Sequence, residues 1–307
     1  MFLELKNTDI GYQTPLIEGV ETSLELGEVC LLIGNNGVGK TTLIKSILNQ
    51  IPVLHGEILI NKKNIKNLST KEIAQQIAVV FSKSQIPANY TLQDLVSLGK
   101  FIHYPYYFEL NNSDKQEVEE IIESLYLSEY KNLPLSKLSD GNLQKAFIGR
   151  ALAQNSSFII LDEPTTHLDE ENKIMILKLL RNLAKKHNKL ILFSSHDWRL
   201  AKEFADKIWL INHQKLESGL SEDVLLQNSN LTNPQLFTLN PVFVSPEIIA
   251  PTLHKEILYS ALQKNIEKDI SRYKITFNDT FWEISGDNIH EKCFSIEEII
   301  IFINKDY

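Results

Sequence analysis

Gly34-Asn35-Asn36-Gly37-Val38-Gly39-Lys40-Thr41 follows the apolar run Val29 to Ile33 and precedes a stretch of helical pattern, Thr41 to Asn49, that Pro52 stops. The eight residues fit the spacing GxxxxGK[ST] at every position, which is that of a phosphate-binding loop between a buried strand and a helix. Glycines at 34, 37 and 39 let the backbone take positive φ and turn its N–H groups inward around a β-phosphate. Lys40 supplies a point charge between β- and γ-phosphates, and the Thr41 hydroxyl reaches Mg²⁺. Thr42 adds a second hydroxyl toward the α-phosphate, and the helix aims its positive end at the anion. Such a loop alone does not choose among kinases, GTPases and ATPases.

A second carboxylate region narrows the choice. Phe158-Ile159-Ile160-Leu161-Asp162-Glu163 is four buried-type apolar residues ending in two acids. Asp162 is therefore expected at a strand's carboxyl end, facing the loop, where it holds Mg²⁺ through water. Glu163 beside it is placed to polarise an attacking water.

The rest of the chain sets the frame for these residues. At 307 residues, 43% apolar and 23% charged, it is expected to be globular and about two domains long. No stretch approaches the ~18 consecutive apolar residues of a membrane helix, and Met1-Phe2-Leu3-Glu4, without a basic or apolar leader region, is expected not to open a signal peptide. The two cysteines, Cys30 and Cys293, exclude a disulfide framework and fit a reducing cytosol. A net charge of −8 argues against a mainly electrostatic nucleic-acid binder.

Period-two alternation in Phe2 to Leu5 and Glu21 to Leu26 predicts half-exposed antiparallel strands at the start. Strands are expected at Glu57 to Ile60 and Ile77 to Phe81, with a short helix opened by a capping box at Ser69 and Glu72. From Pro87 no strand is convincing; Thr91 to Leu98 and Ser113 to Leu127 read as helices, the second opened at Ser113. Asp140 to Gln154 is helical, so residues 87–154 form a helical insertion. The alternation of strand and helix then resumes through Phe158 to Leu161, Asp169 to His187, Leu190 to Phe193 and a hairpin over Ile208 to Glu217. Residues 231–252 read as a Pro- and Asn-rich linker. Beyond it, one helix, two short strands and a terminal helix make a small α+β module over 253–307.

Leu138-Ser139-Asp140-Gly141-Asn142-Leu143-Gln144, then Leu161-Asp162-Glu163-Pro164-Thr165, Thr166-His167-Leu168-Asp169 and Ser194-Ser195-His196 follow the phosphate loop in that order. As a set they resemble the nucleotide-binding subunit of an ABC transporter, over residues 1 to about 230. The resemblance implies an α/β P-loop NTPase with an N-terminal antiparallel β-subdomain, a helical insertion and the small C-terminal α+β module as an addition. It implies ATP and Mg²⁺ as ligands, with Tyr12 against adenine and Asn35, Asn36 and Val38 completing the loop. Ser139, Gly141 and Asn142 resemble the signature that binds the γ-phosphate of ATP held by a second subunit, and Asp169 the acid lining that interface. His196 resembles the switch histidine that contacts γ-phosphate. Ser139 also reads as an ordinary helix N-cap, and the two roles are compatible.

Two positions depart from the family pattern. Asp140 stands where the commonest signature has glycine, a variant familiar in the branch that imports iron-siderophore, haem and cobalamin. The family's glutamine that contacts Mg²⁺ and the attacking water falls at Ser82, whose hydroxyl reaches less far. Either a water bridges from Ser82, or Gln85 is recruited, or coupling differs; Ser82 with water is the preferred reading. Thr91 to Lys100, with Tyr104-Pro105, is similar to the stretch that faces the membrane partner in the same branch. The resemblance thus implies a homodimer of ATPase subunits docked on integral-membrane permease subunits, indirectly linked to a substrate-binding protein, cytoplasmic and peripheral on the inner face of the membrane. An ABC ATPase for another cargo, or a soluble one in iron–sulfur assembly or DNA repair, shares the nucleotide motifs.

Overall fold

The alternation at the start of the chain becomes an antiparallel sheet. Strand β1 (Leu3–Gly11) pairs with β2 (Pro15–Leu24) on one side and β4 (His55–Ile60) on the other, and β4 pairs with β5 (Lys63–Asn64). The inward residues Leu3, Leu5, Ile10, Ile17 and Leu24 are almost wholly buried, as a half-exposed sheet requires. The structure is a computed structural model, and it describes residues 1–81, 89–104, 109–166, 168–195, 198–228, 242–286 and 289–305. Two compact units divide it, Met1–Val224 and Leu225–Tyr307.

The second sheet of the first unit is mostly parallel. Its strands β3 (Val29–Gly34), β6 (Ile77–Val80), β7 (Phe158–Leu161), β8 (Leu190–Ser194), β9 (Lys207–Asn212) and β10 (Lys215–Leu220) lie in the order β10-β9-β3-β8-β7-β6. Only the β9–β10 hairpin is antiparallel. Strands β7 and β8 are buried at every residue, which explains their unbroken apolar sequence. Helix α1 (Lys40–Ile47) sends Leu43, Ile44 and Ile47 into a core shared by both sheets, each contributing ~1.5–3 kcal/mol by burial. Phe2 meets Phe158 edge to face across that core, ring centroids 6.4 Å apart.

Capping chemistry places the helices of the insertion. Ser69 and Glu72 form the reciprocal box that opens α2 (Thr70–Gln76), and Thr91 with Asp94 forms another that opens α3 (Leu92–Ser97). Helix α4 (Asn112–Ser124) starts earlier than Ser113, because the Asn111 side chain accepts the Asp114 N–H. The Asp114 carboxylate is taken instead by the Tyr104 hydroxyl and by buried Lys100. Leu92, Leu95 and Val96 turn inward, with α3 against α5 (Asp140–Ala153). At Gly99 a Cβ would stand 2.1 Å from the Arg150 carbonyl oxygen, so the glycine permits backbone contact with α5. Pro105 lies outside the described residues.

At the amino-terminal edge of the parallel sheet, Asp206 ties three elements together. Its backbone and carboxylate bond both polar groups of Val29 (2.8 and 2.9 Å), and its oxygens meet Lys185 at 2.8 Å and Arg181 at 3.3 Å on α6 (Glu170–His187). Burial alone would raise its pKa, but the Lys185 hydrogen bond, the Val29 N–H and the two positive charges outweigh it and hold the carboxyl below the ordinary 3.8. A depressed carboxylate contributes stability that is full above 3.8 and is lost as pH falls through its lower native value. Asp206→Asn is therefore expected to cost about 2 kcal/mol in urea unfolding near neutral pH, with the gap to the parent closing below 3.8. An unchanged gap at acid pH would remove the charge from the explanation.

After the short α7 (Trp198–Ala201), the second unit begins within α8 (Ser221–Gln227). Its sheet runs β11 (Glu247–Ile249), β12 (Lys274–Asn278), β13 (Phe281–Gly286), β14 (Ile289–Cys293), with β11 parallel to β12 and the others antiparallel. Helices α9 (Thr252–Asn265) and α10 (Ile296–Lys305) bring Leu258, Leu262, Ile299 and Ile303 into one core with Ile275, Trp282 and Ile284. The expected linker 231–252 is corrected here: residues 229–241 lie outside the described residues, but Glu247–Ile249 is a paired strand. Pro246 and Pro251 flank it, and prolines tolerated beside a short edge strand gave it a linker's composition. The two strands expected within 253–307 are three among the described residues, because Ile289–Cys293 carries charges on its exposed positions and has no apolar run.

Candidate active site

The loop after β3 is a cradle whose rear wall belongs to the other sheet. Gly39 sits at φ +110° as the N-cap of α1, and a Cβ there would stand 3.3 Å from Leu16 Cβ of β2. Glycine is thus required twice over, by conformation and by the wall. At Gly37 a Cβ would meet nothing within 4 Å, so the cradle is open on that side. Val38 packs against the core, and Thr42 is buried. Tyr12, 62% exposed, stands on the turn between β1 and β2, the strand that carries Leu16.

Lys40 lies beneath the loop, 7% exposed, and donates from Nζ to the carbonyls of Gly34 at 2.7 Å and Asn35 at 3.0 Å. Burial pulls its pKa down, while the carboxylates of Glu163 and Asp162 pull it back up and leave it lowered. The carboxylates and the lysine therefore share one electrostatic site, although β3 and β7 are separated in the sheet by β8.

Asp162 is gripped on both oxygens. Thr41 Oγ1 donates to Oδ2 at 3.2 Å, and Ser194 Oγ donates to Oδ1 at 2.8 Å. The same Ser194 oxygen accepts the Glu163 backbone N–H at 2.9 Å, so one hydroxyl at the end of β8 positions both acids. Glu163 has φ +56°, an uncommon conformation for a non-glycine residue, and its Oε2 accepts from Thr166 Oγ1 at 3.2 Å. Ser194 and Thr166 were not separable as site residues in the sequence; the only signal was two serines ending a buried strand. Ser82, Gln85, His167 and His196 lie outside the described residues. Strand β8, which leads to His196, is the parallel neighbour of β7.

Ser139, Gly141, Asn142 and Asp169 form a second group. The Ser139 hydroxyl caps α5 by accepting the Asn142 N–H at 3.3 Å. Asp169 caps α6, accepting the Asn172 N–H at 2.8 Å and its Nδ2 at 3.0 Å. A Cβ on Gly141 would stand 3.5 Å from Asn172 Cγ, so Asn172 links the starts of the two helices. The two helix N-termini both carry acids in the first turn, Asp140 on α5 and Glu170 and Glu171 on α6.

An uncharacterized ABC transporter ATP-binding protein of Methanocaldococcus jannaschii is 36% identical over 225 residues, 73% of this chain and 78% of that protein. The chain belongs to the ABC transporter ATP-binding proteins. The ABC transporter family model matches residues 17–166, from the wall behind Gly39 to the Thr166 that bonds Glu163. This ABC ATPase is also 34% identical over 204 residues to the iron(3+)-hydroxamate import ATP-binding protein FhuC of Bacillus subtilis, covering 66% of this chain and 76% of FhuC. Among solved structures, an ABC transporter assigned to the metal-chelate type, in an inward-facing conformation, aligns at TM-score 0.67 and 28% identity, covering 75% of this chain and 87% of that one. The cassette binds and hydrolyses ATP, and its fold is the P-loop NTPase fold expected from the sequence. No helix among the described residues is long and apolar enough to cross a membrane.

Proposed function

We propose that the chain energises import of an iron chelate of siderophore type, with haem and cobalamin as the related cargoes. The observation that carries this reading is the likeness to FhuC, which exceeds two thirds of that protein's length. The test is uptake by cells: deletion of the gene is expected to abolish accumulation of a radiolabelled ferric hydroxamate, and Lys40→Ala to fail to restore it. Normal ferric hydroxamate uptake with loss of haem or cobalamin uptake would reassign the cargo within the branch.

The residues support an in-line attack on the γ-phosphate of ATP. Lys40 lies between β- and γ-phosphates, and the loop N–H groups from Gly34 to Thr41, with Thr42, hold the phosphate chain against α1. Tyr12 takes the adenine face. Thr41 and Asp162 are an oxygen pair suited to Mg²⁺, which keeps most of its waters and needs only one or two protein oxygens. Mg²⁺, when bound, offsets charge on the β- and γ-phosphates. Glu163 orients the attacking water and accepts its proton, Ser82 holds that water through a bridge, and His196 meets the γ-phosphate.

A second copy completes the site. Ser139, Gly141 and Asn142 of one subunit face the γ-phosphate held by its partner, with Asp169 along the interface, and hydrolysis lets the dimer reopen. The dimer docks on permease subunits at the inner face of the membrane and through them serves a substrate-binding protein. The second unit, with a core of its own, is an annex to the ABC domain.

A further inference from the structure

Away from the phosphate cradle, a cavity of about 450 Å³ lies where the end of α4 and helix α5 meet α6. That size is within the about 300–1,000 Å³ typical of small-molecule sites. Leu125, Tyr126, Ile174, Met175 and Leu179 give it apolar walls, and Lys145 reaches into it from α5. Lys145 is 7% exposed, yet among the described residues its ammonium has neither a hydrogen-bond acceptor nor an ion-pair partner. Its nearest influential acid, Asp169, is occupied on both oxygens by Asn172. Burial accordingly depresses the Lys145 pKa, with Asp169 offsetting it in part.

The ammonium lies at the cavity surface, in contact with solvent and without a protein acceptor among the described residues, so a ligand that supplies one gains a charge-assisted hydrogen bond. The charge to be matched is one cation on a largely buried stem. The other charged lining residues, Glu171 and Lys178, are exposed and of opposite sign. A dianionic phosphate would leave one charge desolvated and unpaired, whereas a carboxylate matches a single ammonium. Ile174, Met175, Lys178, Leu179 and Asn182 follow one another along one face of α6, so the apolar wall is elongated rather than round.

We propose that this cavity binds a monocarboxylate bearing an unbranched apolar chain, with its carboxylate on Lys145 and its chain along Ile174, Met175 and Leu179. The proposal is independent of the cargo and of the role given to any nucleotide-binding residue. Calorimetric titration of the full-length protein with sodium decanoate, kept below its micelle concentration, is expected to give saturable binding of one molecule per chain. Decylammonium, with the same chain and the opposite charge, is expected not to bind. Lys145→Met, which keeps the length of the side chain, should weaken decanoate by about tenfold or more, the least expected for losing a charge-assisted hydrogen bond. It should leave the weaker affinity for decanol unchanged, and Leu179→Trp should abolish both by filling the wall. Equal binding of decanoate and decylammonium to the unmodified protein, or no saturable decanoate binding at all, overturns the proposal without recourse to a variant. So does a Lys145→Met protein that melts normally and binds decanoate as the parent does.

Discussion

Glu163→Gln is expected to slow ATP hydrolysis by about 10²–10⁴-fold, the usual range for loss of a general base, while ATP still binds. The geometry argues for so clean a separation. Glu163 owes its position to its backbone, whose N–H is held by Ser194 and whose φ of +56° sets the direction of the side chain. Glutamine has the same shape, and its amide oxygen can still accept from Thr166, which now bonds Oε2. The substitution removes the proton-accepting charge and little else, so the ATP-bound dimer should accumulate. Phosphate release, calorimetric ATP binding and size-exclusion chromatography with ATP and Mg²⁺ test the three parts. Hydrolysis at the parental rate would remove Glu163 from its role.

Lys40→Ala should act earlier, at binding. The ammonium lies under the loop, bonded to the carbonyls of Gly34 and Asn35, with Glu163 and Asp162 close enough to raise its pKa. Its loss removes the cation that meets the phosphates and leaves two acids facing an added negative charge. A loss of about 3 kcal/mol or more, on the order of 100-fold in affinity, is expected by calorimetry with ATP. Lys40→Arg separates charge from shape: a guanidinium in this tight space should restore little, since the side chain is only 7% exposed. Full affinity in Lys40→Ala would contradict the placement of the phosphates.

What was legible in the sequence is chemistry that is local along the chain. The phosphate loop, the acids ending Phe158–Leu161 and the Ser69 capping box each need only a few consecutive residues, and each is found where its spacing put it. Relations between distant segments were not legible. Ser113 has the composition of a helix start, yet Asn111 is the cap, because its side chain accepts the Asp114 N–H. Gly99 has the appearance of a helix end and is a contact with Arg150, 51 residues further on. Ser194 gave no sign that it would hold Asp162 and Glu163 together, since that depends on the order of strands in the sheet. Strand β14 was hidden because His290, Glu291 and Lys292 are exposed in succession and leave it no apolar alternation.

Strand β3 joins two kinds of selection. Its first residue is fastened by Asp206 and its last residue opens the phosphate loop, about 17 Å away at ~3.3 Å per residue. Durability and turnover are thereby assigned to opposite ends of one strand. A screen for heat resistance should find its gains around Val29, Arg181, Lys185 and Asp206 and leave the Michaelis constant for ATP where it was, so the protein can be hardened without being retuned.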